Sequence, residues 1–137
     1  MIRIGFVGFS DKKFDKQKAV EFIKDALNDL TEDHKKKDIQ IVSGLTNLGI
    51  PALVYKEAEE RGYYTVGVAC KKAEEFECYD CDERIIVGDN WGDESEKFLD
   101  SIDVLVRIGG GKQSIAETKK AKEMGIKVVE HDLEETK

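Results

Sequence analysis

The chain has 137 residues and a formal net charge of −7, a length that suits one domain with a single core. Its hydrophobic fraction of 40%, with 12 Gly and one Pro, excludes a disordered or collagen-like chain, and no apolar run approaches the ~20 residues that span a bilayer. The acidic balance, with a pI near 5.0, argues against duplex nucleic acid as a partner.

Strand and helix patterns alternate along the chain. Ile2 to Val7 is a β-rich apolar run broken by Gly8. From Asp15 to Asp33, Ala19, Phe22, Ile23, Ala26, Leu27 and Leu30 recur at steps of three and four, predicting an amphipathic helix. Asp38 to Ser43 reads as a second strand. Gly49 to Arg61 reads as a helix, with Pro51 in its first turn and Gly62 as its stop. Tyr64 to Ala69 and Arg84 to Val87 read as strands, separated by the long irregular stretch Lys71 to Glu83, a candidate flap or interface. A short helix over Asp93 to Ser101 turns Phe98, Leu99 and Ile102 inward. Asp103 to Ile108 is a fifth strand, Ser114 to Met124 a fourth helix, and Lys127 to Val129 a last strand, with a polar tail expected to fray. This order predicts an α/β fold: one doubly wound parallel sheet of about six strands, helices on both faces, a single Rossmann-like nucleotide-binding domain over residues 1–137.

In such sheets the strand-to-helix loops gather at the carboxyl edge, where ligands bind near the point at which strand order reverses. The richest of these loops is Gly109-Gly110-Gly111-Lys112-Gln113-Ser114. Its glycines permit close backbone approach, the following helix start offers unpaired N–H groups, and Lys112 adds a cation, together an anion site for phosphate or carboxylate. It fits neither the Walker pattern nor GxGxxG. On this reading Gly110→Val abolishes binding without unfolding the protein. Ser114 and Glu117 have the spacing of a capping box; Glu117 equally suits contact with ribose hydroxyls or action on a glycosidic bond. The loop Ser43 to Gly49 offers Gly44, Thr46, Asn47 and Gly49 as ligand-binding residues, with N-capping by Thr46 or Asn47 as the structural alternative. Gly8 and Ser10, in the loop Gly8-Phe9-Ser10-Asp11, complete a third wall.

Other chemistry is thinly supplied. Trp91 could stack on a ring or pack in partial burial. His34 and His131 read as surface residues, so a Ser-His-Asp or Cys-His arrangement lacks its base. Cys70, Cys78 and Cys81 are odd in number and include one CxxC; without a second pair of ligands they read as structural thiols rather than a metal site. No metal is expected, and nothing names a cofactor. The N-terminal stretch lacks a basic segment followed by a long apolar run, so a cytoplasmic location is the expectation.

At the two glycine loops the sequence resembles the SLOG superfamily, which includes the Lonely Guy (LOG) phosphoribohydrolases, the molybdenum-cofactor carrier proteins and related nucleotide-binding sensors. The LOG signature PGGxGTxxE is matched by Gly110, Gly111 and Glu117, with Ser114 in place of Thr, Gly109 in place of Pro and Gln113 in place of Gly. The upstream stretch matches at Ser43-Gly44 and Gly49. The resemblance implies a homo-oligomer that binds a nucleotide or nucleotide-like phosphorylated small molecule. LOG hydrolases also carry an Arg on the helix before the signature strand, working with the signature Glu; the corresponding position here is Glu94, and Arg107, just before the glycines, could compensate. The expected function is therefore ligand binding as a carrier or sensor. The alternative is a LOG-like phosphoribohydrolase cleaving an N-glycosidic bond, with Glu117 as its catalytic carboxylate.

Overall fold

The computed structural model describes residues 1–10 and 12–136; Asp11, of the first loop, lies outside them. Six strands form one sheet: β1 (Ile2–Gly8), β2 (Ile39–Ser43), β3 (Tyr64–Ala69), β4 (Glu83–Ile86), β5 (Val104–Ile108) and β6 (Lys127–His131). Every pairing is parallel, in the order β4-β3-β2-β1-β5-β6. The helices are α1 (Lys16–Leu30), α2 (Gly49–Arg61), α3 (Ser95–Asp100) and α4 (Lys112–Glu123). The α/β, doubly wound fold expected from the alternating pattern is the fold observed.

The order of the strands dictates where the helices go. From β1 the chain steps outward to β2, β3 and β4, then returns across the sheet to add β5 and β6 on the other side of β1. Right-handed crossovers taken in opposite directions lie on opposite faces. On one face Ile4, Phe6, Ile41, Val106 and Ile108 pack against Ile23 and Leu27 of α1 and Val54, Tyr55 and Ala58 of α2. On the other, Val7, Val42, Val66, Val68 and Leu105 pack against Phe98 and Leu99 of α3, Ile102 and Ala121 of α4. Strands buried on both faces read as continuous apolar runs, which is why they were legible. Tyr55 is fully buried, and its hydroxyl donates to the carbonyl oxygen of Val66 at 2.9 Å, tying α2 to β3.

The segment after β3 packs against the loop before α2. It opens with a 3-10 turn at Lys71–Glu75. Thr46 then bridges Cys78, Tyr79 N–H donates to Leu45 O at 2.8 Å, and the Tyr79 ring lies 5.1 Å from that of Tyr55. Burial pushes the Cys81 thiol up to about 11, so it stays protonated at neutral pH. The tail is also anchored: Leu133 is buried in the first core, and Thr136 N–H donates to Lys13 O at 2.7 Å. One apolar residue in a polar run gave no periodic signal for that docking. His131, expected at the surface, stacks on Phe22 with ring centroids 4.6 Å apart, and its Nε2 is buried without a hydrogen-bond partner. Among the described residues no helix is long and apolar enough to cross a membrane.

Tyr55→Phe removes one buried hydrogen bond at constant packing and leaves the Val66 carbonyl short of a partner. A loss of about 1–2 kcal/mol in unfolding free energy is expected by urea denaturation; an unchanged midpoint would show that the hydroxyl contributes nothing to the α2–β3 contact.

Candidate functional site

Strand order reverses between β1 and β5, and the two strands run side by side to their carboxyl ends, Gly8 opposite Ile108. A Cβ at Gly8 would overlap the Ile108 carbonyl oxygen and the Ile50 side chain. Only glycine lets the loops leave the sheet here in contact. Beyond it, Phe9 turns into the core beside Phe14, and its carbonyl accepts from Ile50 N–H at 2.8 Å. That bond brings the start of α2 against the first loop, and Gly49, at φ +57°, makes the approach possible.

The three consecutive glycines divide their work. Gly109, at φ +60°, packs under the Phe9 ring, donates to His131 O at 2.9 Å and accepts from Arg107 Nη1 at 2.8 Å. Gly110, at φ +109°, lies against Ser114, where an added Cβ would come within 2.5 Å of the Ser114 Cβ. Gly111 has an ordinary extended backbone and open space where a Cβ would stand. It is the N-cap of α4, with no side-chain cap hydrogen bond. The Gly110→Val expectation is therefore corrected: valine at φ +109° is strained wherever it points, and such a variant would disturb the loop itself. Gly111 is the position at which a side chain can enter the site without strain.

The helix starts at Lys112, two residues earlier than its expected start at Ser114, and the capping box does not form. Ser114 lies in the first turn and its hydroxyl donates to Gly8 O at 3.3 Å; Glu117 reaches across to α3 instead, its Oε2 accepting from Ser95 Oγ at 2.9 Å. The N–H groups of this first turn have no acceptor within the helix. Thr46 and Asn47 do not cap α2 either. Leu48 is its N-cap, without a side-chain bond, and Asn47 turns to Glu77, its Nδ2 donating at 3.1 Å.

A cleft of about 290 Å³ opens at this edge. Of the residues expected from sequence, Gly8, Ser10, Gly44, Thr46, Gly111, Lys112, Gln113, Ser114 and Glu117 line it, while Asn47, Gly49, Gly109 and Gly110 do not. Sequence reasoning did not place Lys12, Glu94 and the apolar floor of Val68 and Phe98 among the site residues; all line the cleft. So does Trp91, which is 50% exposed and tilted against Phe76. Arg107 does not reach the cleft. Its guanidinium is held by Asp132 at 2.6 Å and Glu130 at 3.1 Å.

Two cations, Lys12 and Lys112, lie on the lining, and two carboxyl groups, Glu94 and Glu117, are buried in it. Burial pushes the Glu117 carboxyl up to about 7; the hydrogen bond from Ser95 opposes this, the charge of Glu94 adds to it, and a weaker bond from Gln113 opposes it again. Glu117 is thus about half protonated at neutral pH. It can offer a proton or accept one, as a general acid or base requires. Among the described residues no group of three or more His, Cys, Asp or Glu is arranged to hold a metal ion.

No protein-family model matches the chain, and no curated protein matches it. Solved structures do. The molybdenum cofactor carrier protein MCP from Chlamydomonas reinhardtii superposes with a TM-score of 0.76 at 24% identity, over 94% of this chain and 75% of that one. A further structure of that carrier gives a TM-score of 0.71 at 24% identity, over 94% of this chain and 74% of that one. TM1055, a structural genomics target, superposes with a TM-score of 0.75 at 22% identity, over 93% of this chain and 72% of that one. At these identities the likeness shows the fold, and it is the fold that the resemblance to the SLOG superfamily implies.

Glu117 sets a sign for the pH dependence of stability. Its carboxyl titrates near 4.5 when unfolded and about 7 when folded. Between those values the folded state holds a proton that the unfolded state has lost, so stability falls as pH rises through the window. Below it the penalty is absent, and above it the penalty is complete, at most about 3 kcal/mol. Glu117→Gln is expected to match the parent protein near pH 4.5 and to exceed it in stability at pH 8, by urea denaturation at both pH values; a difference that does not change with pH would contradict the assignment.

Proposed function

We propose that the cleft binds a nucleotide or nucleotide-like phosphorylated small molecule and that the protein acts as a carrier or sensor without turning its ligand over. One observation carries this reading: the uncapped first turn of α4, opening on Gly111, lines the cleft beside Lys112. Unpaired N–H groups, the positive end of the helix dipole and a lysine at one point suit a phosphate. The apolar floor and the Trp91 indole give a ring system somewhere to lie. The fold is shared with a molybdenum cofactor carrier protein.

The LOG-like phosphoribohydrolase is the second reading, favoured by the titration of Glu117 near neutral pH within the cleft. Against it stands the charge at position 94. Glu94 is 7% exposed and lines the cleft, where the resemblance leads one to expect Arg. Arg107 is engaged elsewhere and does not compensate. An acid in place of a cation withdraws positive charge from the region where a nucleoside monophosphate would react.

Isothermal titration with AMP, GMP, ADP-ribose and a phosphorylated pterin, on the parent protein and on Gly111→Val, separates these readings. Saturable heat without product is expected from at least one ligand, with affinity reduced at least about tenfold in Gly111→Val, as the new side chain enters the anion site. Equal affinity in the two proteins, or no heat from any ligand, would overturn the phosphate-loop assignment. Continuous heat with release of free base that stops in Glu117→Gln would establish the hydrolase instead.

A further inference from the structure

Two large rings stand half in water beside the cleft. Trp91 lines the cleft and Phe76 does not, and each is 50% exposed. Their centroids lie 5.9 Å apart at an interplanar angle of 50°, within the range at which aromatic rings attract one another beyond the area they bury. Neither belongs to the buried cores of the sheet. An apolar ring exposed singly needs no explanation; two that meet at the edge of a cavity, from separate segments, do. The backbone under each ring is fixed. Phe76 ends the 3-10 turn Lys71–Glu75, its N–H donating to Ala73 O at 3.1 Å, and Ala73 is itself buried in the cleft wall. Cys78 Sγ donates to the carbonyls of Ala73 and Phe76 at 3.4 and 3.5 Å. Trp91 stands on a turn knitted by Asp93, whose Oδ2 accepts from Asp89 N–H at 3.0 Å and from Asn90 N–H at 2.9 Å. Lys71 joins the two bases: its N–H donates to Gly88 O at 3.0 Å, and its Nζ pairs with Asp89 at 3.2 Å. Gly92, next to the indole, has open space where a Cβ would stand. These bonds set where the indole starts and leave its direction to the ring beside it.

We propose that Phe76 is a positioning residue for the cleft: it holds the Trp91 indole at the rim, so that the indole covers the aromatic ring of a bound ligand. The inference rests on the reading of the cleft as a site for a ring-bearing phosphorylated molecule. An indole free to rotate must be ordered when a ligand arrives, and the entropy of that ordering is subtracted from the affinity. An indole braced by Phe76 is ordered already in the free protein. Phe76 acts through Trp91 and touches no ligand itself, since it lies outside the lining. Its effect therefore falls on the aromatic part of a ligand and leaves the phosphate, received at α4, untouched.

Trp91 is the one tryptophan in the chain, so its fluorescence reports on this indole alone. The variants are Phe76→Ala, which removes the ring, and Phe76→Tyr, which keeps it; thermal melting checks that both are folded. Without ligand, the fast component of the Trp91 anisotropy decay is expected to grow about twofold in Phe76→Ala and to stay at the parent level in Phe76→Tyr, as only the first loses the ring contact. AMP and ribose 5-phosphate are then titrated, followed by heteronuclear NMR; both carry the phosphate, and only AMP carries an aromatic base. Phe76→Ala is expected to weaken AMP about three- to tenfold, the factor that one aromatic pair supplies. Ribose 5-phosphate is expected to bind the two proteins alike, and Phe76→Tyr to bind AMP as the parent does. An anisotropy decay that is the same in the parent and in Phe76→Ala would overturn the positioning whatever binds. An AMP affinity unmoved by Phe76→Ala, or a loss shared equally by AMP and ribose 5-phosphate, would overturn it with the phosphate reading intact. If neither phosphate binds at millimolar concentration, the phosphate reading falls, and the covering of a ligand falls with it, even where the decay shows that Phe76 braces Trp91.

Discussion

The contact between Gly8 and the carbonyl of Ile108 is the constraint on which the site depends. It lies at the reversal of strand order, where β1 and β5 end side by side, and it leaves no room for a side chain. Because the strands stay together to their ends, the loops that follow must share one small volume. Ser114 reaches Gly8 O from the start of α4, and Phe9 O receives Ile50 N–H from the start of α2. Two helix starts are thus fixed against the first loop, and the cleft is the space left between them. Gly49, Gly109 and Gly110 serve this convergence through their positive φ angles, whereas Gly111 is spare and faces the open space.

The electrostatics follow from which helix brings which charge. The crossover that returns the chain across the sheet places α3 beside α4 on the second face, and with it Glu94 beside Glu117. The same packing that buries Phe98 and Leu99 therefore brings two acids together away from water. The carboxyl of Glu117 responds by holding its proton to neutral pH. A cation at position 94 would draw that proton off; an acid keeps it. The acid at position 94 leaves the cleft better suited to holding a ligand than to a reaction that needs positive charge at its centre.

Much of this was legible in the sequence, and the parts that were not have identifiable causes. Strands with both faces buried announce themselves as apolar runs, and the helices by their spacing, so the sheet and its carboxyl edge could be read directly. The start of α4 could not, because Gly111 caps it through backbone geometry alone and Ser114 imitates a cap. Asn47 looked like a ligand donor but is drawn to Glu77, 30 residues along the chain, in a segment with no periodic signal. The docking of the tail rests on Leu133 alone among polar neighbours. The contact of α3 with α4 joins residues that only the folded sheet brings together, so the pairing of Ser95 with Glu117 left no local trace.

The central claim is that a phosphorylated ligand binds at the first turn of α4. Chemical-shift mapping of the ¹⁵N-labelled protein with GMP tests it most directly. The account predicts that the largest changes fall on the amides of Gly111, Lys112 and Gln113 and on the indole N–H of Trp91, with the amino edge of the sheet unmoved. Changes centred instead on the shallow depression by Lys36, Lys37 and Tyr64, with the α4 amides unmoved, would contradict it.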